Sequence, residues 1–308
     1  MITRIFIALC LWLLLPPCSQ AQQRADDVLI SVTVTNKRGN YLKGLKSANV
    51  VLFDEKVEHS FDQFAATDTP VSIGILLDRS ASMHLPPNEA SSLRQALGQF
   101  ITKSNPSNEY FLVGFNKQPQ LLVEWTREVD SLLSKFNALP EAAYHTALYD
   151  ACYVGLEKVA RGSHRRHVLI LISDGLDNES RFKFAEVKAF LQESDAVLYG
   201  VIPPAAHWDG SVPGNVLMVE GGGSLDELTT LSGGMLYTPH NAKEMIEVFD
   251  RIAVELRNQY LLSFKPRIAA GKPKYRRIKL KVKQDATLPP EFKDLIIRTR
   301  QGYFAPGA

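Results

Sequence analysis

The chain has 308 residues, 45% of them hydrophobic, with 35 basic side chains against 33 acidic ones and three cysteines. This near balance of charge excludes the concentrated positive surface that nucleic acid requires, and so few cysteines exclude a disulfide framework, so stability must come from an apolar core. The length suffices for one ordinary α/β domain and a smaller β unit.

The first residues, "MITRIFIALCLWLLLPPCSQAQQ", carry one early Arg, an apolar stretch from Ile5 to Leu15, helix-breaking Pro16 and Pro17, and small residues at Ser19 and Ala21. This is the layout of a secretory signal peptide over residues 1–21, cleaved after Ala21, and it is set apart from the fold. Retention as an anchor and acylation at Cys18 are the alternatives. The apolar stretch is short for a membrane span, and Pro17 stands where a small residue precedes an acylated cysteine. Cys10 and Cys18 leave with the leader. Cys152, in the helix-like "LYDACYVGLEKV", then stands alone and reads as a buried apolar filler.

Residues 22–66 alternate apolar and polar in "VLISVTVTNKRGNYL" and "ANVVLFDEKVEHSFDQF", which predicts three or four strands and no helix. After "AATDTP" the texture changes. "VSIGILLD" is a continuous apolar run ending in a carboxylate, the mark of a strand buried on both faces. Helix and strand then alternate: a helix in "NEASSLRQALGQFITKS", a strand in "EYFLVGF", an edge strand in "PQLLVEW", helices in "TREVDSLLSKFNAL" and "ALYDACYVGLEKVA". There follow the strand "HVLILISD", the helix "RFKFAEVKAFLQES", the strand "AVLYGVI", the helix "SLDELTTLSG", the short strand "MLYTP" and the helix "NAKEMIEVFDRIAVELRN". Residues 67–258 are therefore expected to form an α/β fold, a doubly wound, mostly parallel six-stranded sheet with helices on both faces.

Residues 259–308 return to strands in "QYLLSFKP", "YRRIKLKVK" and "DLIIRTRQGYF". Neither flank is large enough for a good core alone. Residues 22–66 and 259–308 are thus expected to fold together as a small β-sandwich at the edge where the parallel strands begin. "KPKYRRIKLKVK" is the one local basic stretch. Its period-two alternation reads as one solvated face of a strand, with lysines that discourage edge-to-edge pairing.

Open parallel sheets bind ligands at the carboxyl ends of strands, where the winding reverses. Asp78, in "LLDRSASM", closes the first parallel strand, and Asp174, in "LISDGLDNES", closes the fourth strand of the sheet. If those strands are neighbours, the two carboxylates converge there, with Ser80 and Ser82 from the same loop and Thr146 of "YHTALYDA". Two such carboxylates repel each other, which a divalent cation removes. The donors are all hard oxygens, suited to Mg2+ or Mn2+, with Ca2+ admitted, rather than to zinc. Because hydroxyls are neutral, the ion keeps positive charge for a partner's Asp or Glu. Helix capping by Ser82 and Thr146 is the alternative use of these residues.

The D-x-S-x-S loop, the Thr of "TALYDA" and the "SDG" after an apolar strand resemble the metal-ion-dependent adhesion site of von Willebrand factor type A domains. The resemblance covers roughly residues 70–258, and "LTTLSGGMLY" is similar to the late helix and Gly-Gly strand of that family. It implies a Rossmann-like fold, metal ligation by Asp78, Ser80, Ser82, Thr146 and Asp174, and a protein ligand bound in adhesion or assembly. The flanks resemble those of bacterial secreted proteins carrying such a domain, chiefly of the acidobacterial type, so a secreted or periplasmic location is expected. Arg79, Met83 and Asp177 are expected to shape the partner-facing rim, together with His207 and Trp208 from the long connection over residues 203–224. The chain contains neither G-x-S-x-G nor H-E-x-x-H, and no enzymatic activity is expected. The alternative function is a structural envelope-assembly protein that binds through its β unit with the metal site unused.

Overall fold

The computed structural model describes residues 27–83, 87–136, 145–204, 214–268, 271–283, 288, 290–292 and 294–307. The leader, His207 and Trp208 lie outside the described residues. The N-terminal flank supplies four strands, β1 (Val28–Asn36), β2 (Val50–Asp54), β3 (Val57–His59) and β4 (Gln63–Ala66). The α/β unit follows as β5 (Ser72–Asp78), α1 (Pro87–Lys103), β6 (Glu109–Phe115), β7 (Pro119–Thr126), α2 (Val129–Phe136) and α3 (Leu148–Val159). It continues with β8 (His167–Ile172), α4 (Phe184–Glu193), β9 (Val197–Val201), α5 (Gly214–Ser232), β10 (Leu236–Tyr237) and α6 (Ala242–Leu256). The C-terminal flank adds β11 (Tyr260–Phe264), β12 (Lys274–Val282), β13 (Leu295–Arg298) and β14 (Gly302–Ala305).

The six strands of the α/β unit are ordered β10-β9-β8-β5-β6-β7, parallel except for the edge strand β7. Every residue of β5 is buried, as a strand covered on both faces requires. Its side chains alternate between the layers. Ile73, Ile75 and Leu77 pack with Phe100 of α1, Leu132 of α2 and Phe249 of α6. Leu76 packs on the other face with Leu156 of α3, Val187 of α4 and Leu228 of α5. Each such side chain contributes on the order of 1.5–3 kcal/mol by leaving water. Cys152 is buried among the second group, and burial pushes its thiol up to about 12, so it packs as an apolar group.

Two further sheets, β13-β1-β11-β4 and β14-β12-β2-β3, each draw strands from both flanks. One core joins them: Val32, Phe64 and Leu262 from the first sheet meet Leu52, Leu280 and Tyr303 from the second. This is the expected composite β-sandwich. Asp54, fully buried within it, accepts bonds from Arg276 Nε (2.8 Å) and Tyr303 OH (3.0 Å). Arg276, which shares the alternation of Ile278 and Leu280, thus faces inward as the partner of a buried acid.

Two local expectations change. "DLIIRTRQGYF" is two strands in different sheets, β13 and β14, because the chain crosses from one sheet to the other at Thr299–Gln301. Gly302 permits the crossing, since a Cβ there would lie 2.4 Å from Arg276 O. The connection over 203–224 is also shorter than expected, because α5 begins at Gly214 and runs through Gly221, Gly222 and Gly223. Glycine costs a helix about 1 kcal/mol per residue relative to alanine, which is why that run reads as loop in sequence.

The sandwich meets the α/β unit at the amino ends of the parallel strands. Glu255, at the end of α6 and 1% exposed, accepts bonds from Thr33 of β1 (3.1 Å), Tyr199 of β9 (2.5 Å) and Arg298 of β13 (2.5 Å). Arg166, just before β8, donates to Thr69 O, Leu256 O and Gln259 Oε1. The carboxyl ends of the strands, at the opposite edge, are left to the site.

Candidate metal centre

β5 lies between β6 and β8, so the winding reverses at the carboxyl end of β5. Asp78 is its last residue, opposite Phe115 of β6, and Asp174 follows the adjacent β8 by two residues. Asp78, Ser80, Thr146 and Asp174 are all buried, whereas Ser82 is exposed.

Backbone and side-chain hydrogen bonds join three loops around these residues. Asp78 Oδ1 accepts the Ser80 N–H (2.9 Å), Asp78 Oδ2 accepts the Ser173 hydroxyl (2.6 Å), and the Ser80 and Ser82 hydroxyls lie 3.0 Å apart. Arg79 N–H donates to Phe115 O (2.7 Å) and Ala147 N–H to Asn116 O (2.6 Å), which ties the Thr146 segment to the end of β6. Asn178 Oδ1 accepts the Thr146 N–H (2.8 Å), while Thr146 O accepts the N–H groups of Asn178 and Glu179. Asp174 Oδ1 accepts the Leu176 N–H (2.9 Å) across Gly175, whose φ of 85° suits glycine.

Burial pushes the Asp78 carboxyl up to about 7, the Asp174 charge adds to the rise, and the Ser173 and Ser80 hydrogen bonds oppose it. Two carboxylates therefore share a buried place with hydroxyl groups around them. None of the side-chain ion pairs among the described residues involves Asp78 or Asp174. The donor set is hard oxygen throughout, and a divalent cation fits the charge that this set lacks.

The structure brings together Asp78, Ser80 and Ser82 on one loop, with Thr146 and Asp174 on the loops stitched to its neighbours. It does not place Arg79 or Met83 on an accessible rim, and both expectations are corrected. Arg79 is 8% exposed, its side chain lying over Gly114, where a Cβ would meet Arg79 Cδ and Leu122 Cδ1 at 2.7 Å each. Burial lowers the Arg79 pKa, and its Nε and Nη2 have no hydrogen-bond partner. Met83 packs into the core beside α1. The cause is alternation: with Asp78 and Ser80 directed to the loop cluster, Arg79 turns onto the sheet face that Gly114 leaves open.

Asp177 has a local duty. Its Oδ1 accepts the Tyr149 N–H (3.3 Å) and the Ser180 hydroxyl (2.5 Å), and Ser180 Oγ accepts the Asp150 N–H (3.1 Å). The orphan N–H groups at the start of α3 are thus capped from the loop after β8 rather than by Thr146. Ser173 escaped the sequence reading, although its place before Asp174 in "LISDG" is the signal that could have found it. Ser80 and Ser82 bond each other, and His145 lies 3.0 Å from Glu179; among the described residues no histidine is hydrogen-bonded to either serine.

Residues 73–176, less than half of the chain, match the von Willebrand factor type A domain model. Comparison with curated proteins gives no match. Among solved structures, the chain is similar to the vWF domain of the type V pili tip protein Mfa5 from Porphyromonas gingivalis, at 14% identity and a TM-score of 0.46, covering 60% of this chain and 94% of that one. BatB from Bacteroides thetaiotaomicron aligns at 13% identity and a TM-score of 0.44, covering 61% of this chain and 100% of that one. The PilB minor pilin from Streptococcus sanguinis aligns at 12% identity and a TM-score of 0.48, covering 61% of each chain. The span that matches the von Willebrand factor type A domain model contains Asp78, Ser80, Ser82, Thr146 and Asp174.

Proposed function

We propose that the protein is an extracytoplasmic, metal-dependent protein-binding module for adhesion or assembly. The observation that carries this reading is the buried pair Asp78 and Asp174 at adjacent strand ends, with Asp78 raised to about 7 partly by its neighbour. Asp78, Ser80, Ser82, Thr146 and Asp174 would hold Mg2+ or Mn2+, with Ca2+ a third candidate. When bound, the ion supplies positive charge that a partner's Asp or Glu completes. The chain's own part is to hold five oxygens on three loops tied to one another, so that ordering them costs little on binding. The leader-like N-terminus supports a secreted or periplasmic location. Among the described residues no helix is long and apolar enough to cross a membrane.

Calorimetric titration with Mg2+, Mn2+ and Ca2+ tests this reading. The parent is expected to bind at least one ion, and Asp78→Ala and Asp174→Ala to lose that heat. Equal binding by either folded variant and the parent would end the assignment of that residue.

A further inference from the structure

The strand β12 is incompletely paired. β14 covers Lys274–Arg277 on one side, and β2 covers Ile278–Val282 on the other. Glu55 N–H donates to Arg277 O and Lys283 N–H donates to Asn49 O, so odd-numbered residues direct their backbone groups to β2. Ile278 N–H donates to Gln301 O, on the β14 side. Because backbone groups alternate along a strand, the N–H and C=O of Leu280 and Val282 face the β14 side beyond the point where β14 and Gln301 end. Among the described residues no strand pairs with them.

A groove of about 570 Å³ lies along this edge, bounded by Arg277–Leu280, by Ile297–Gln301 and by Thr230 of α5. Its apolar part is Ile278, Leu280 and Ile297, and its charged lining is Arg277, Lys279, Arg298 and Arg300, with no carboxylate among the lining residues. Arg298 is already paired with Glu255. Among the described residues, Arg300 donates to the carbonyls of Gly302 and Gln192 and forms no ion pair. The exposed side chains of Arg277 and Lys279 form no ion pair among the described residues, and Glu55 bonds the Arg277 backbone. An open ladder edge beside an apolar floor and a cationic rim matches an added strand with alternating apolar and acidic side chains.

We propose that this groove receives an extended acidic segment of a partner protein, which pairs with the open edge of β12 at Leu280 and Val282. The site lies on the sandwich, at the edge opposite Asp78 and Asp174, and does not depend on a bound ion.

The test uses the full chain in chelator and a fluorescent peptide of alternating valine and glutamate, about eight residues long, beside its valine and lysine counterpart. Anisotropy is expected to show binding of the glutamate peptide alone. Hydrogen exchange at residues 278–283 is expected to slow on binding. Arg277→Glu with Lys279→Glu, both at exposed positions, is expected to weaken binding about tenfold or more with an unchanged melting curve. Equal binding of the two peptides, or no effect of the double reversal, would overturn the proposal. Binding without slowed exchange would reduce the groove to plain charge attraction and overturn strand addition. Self-association of the chain that the double reversal abolishes would put a second copy in the groove, and the acidic occupant would be wrong.

Discussion

Glu255→Ala is expected to destabilise the chain by about 3–5 kcal/mol, the usual cost of breaking a buried ion pair from one side. The carboxylate is 1% exposed, and its loss leaves the Arg298 guanidinium without its partner. Thr33 and Tyr199 lose the same acceptor. Because these donors come from β1, β9 and β13, the residue joins the sandwich to the α/β unit. Arg298→Leu should cost a similar amount by stranding Glu255. The double variant Glu255→Leu with Arg298→Leu should cost less than the sum, since no buried charge is then left alone. Urea unfolding measures all three. A Glu255→Ala cost under about 1 kcal/mol would place the strength of the joint elsewhere.

Asp78→Asn is expected to stabilise the cation-free chain at pH 8 and to do little at pH 4. The folded-state carboxyl titrates at about 7 against an ordinary value of 3.8, so the folded chain keeps a proton that the unfolded chain releases. Parent stability therefore falls as pH rises between those values and is level above them. Asparagine has no such charge to bury. At about 1.4 kcal/mol per pKa unit the gain at pH 8 is at most about 4 kcal/mol. Mg2+ should restore the parent and leave the variant unmoved. Unfolding curves in chelator and in Mg2+ at the two pH values provide the comparison. Equal parent and variant stability at pH 8 in chelator would contradict the burial argument.

Much of the architecture follows from local pattern. The run ending at Asp78 and the one ending before Asp174 are apolar without interruption, which places both carboxylates at strand ends. Ser80 and Ser82 follow Asp78 at alternate positions, and the resemblance to an adhesion site adds Thr146, at the start of a helix, to the expected cluster. What sequence did not reveal depends on distant contacts. Arg79 is buried because Gly114, on another strand, leaves room for it. Arg276 turns inward because Asp54, far away in sequence, needs a partner. Asp177 and Ser180 cap α3 across a gap of about thirty residues, a pairing that no local motif announces. The break in "DLIIRTRQGYF" likewise reflects the crossing between two sheets, visible locally only as Gly302.

The most direct test of the metal centre is a crystal grown with Mn2+, with diffraction recorded above the manganese edge. An anomalous peak is expected, bounded by Asp78, Ser80, Ser82, Thr146 and Asp174 and absent from Asp174→Ala crystals of the same form. A parent crystal saturated with Mn2+ that shows no peak there, with these loops ordered and free of lattice contacts, would contradict that expectation.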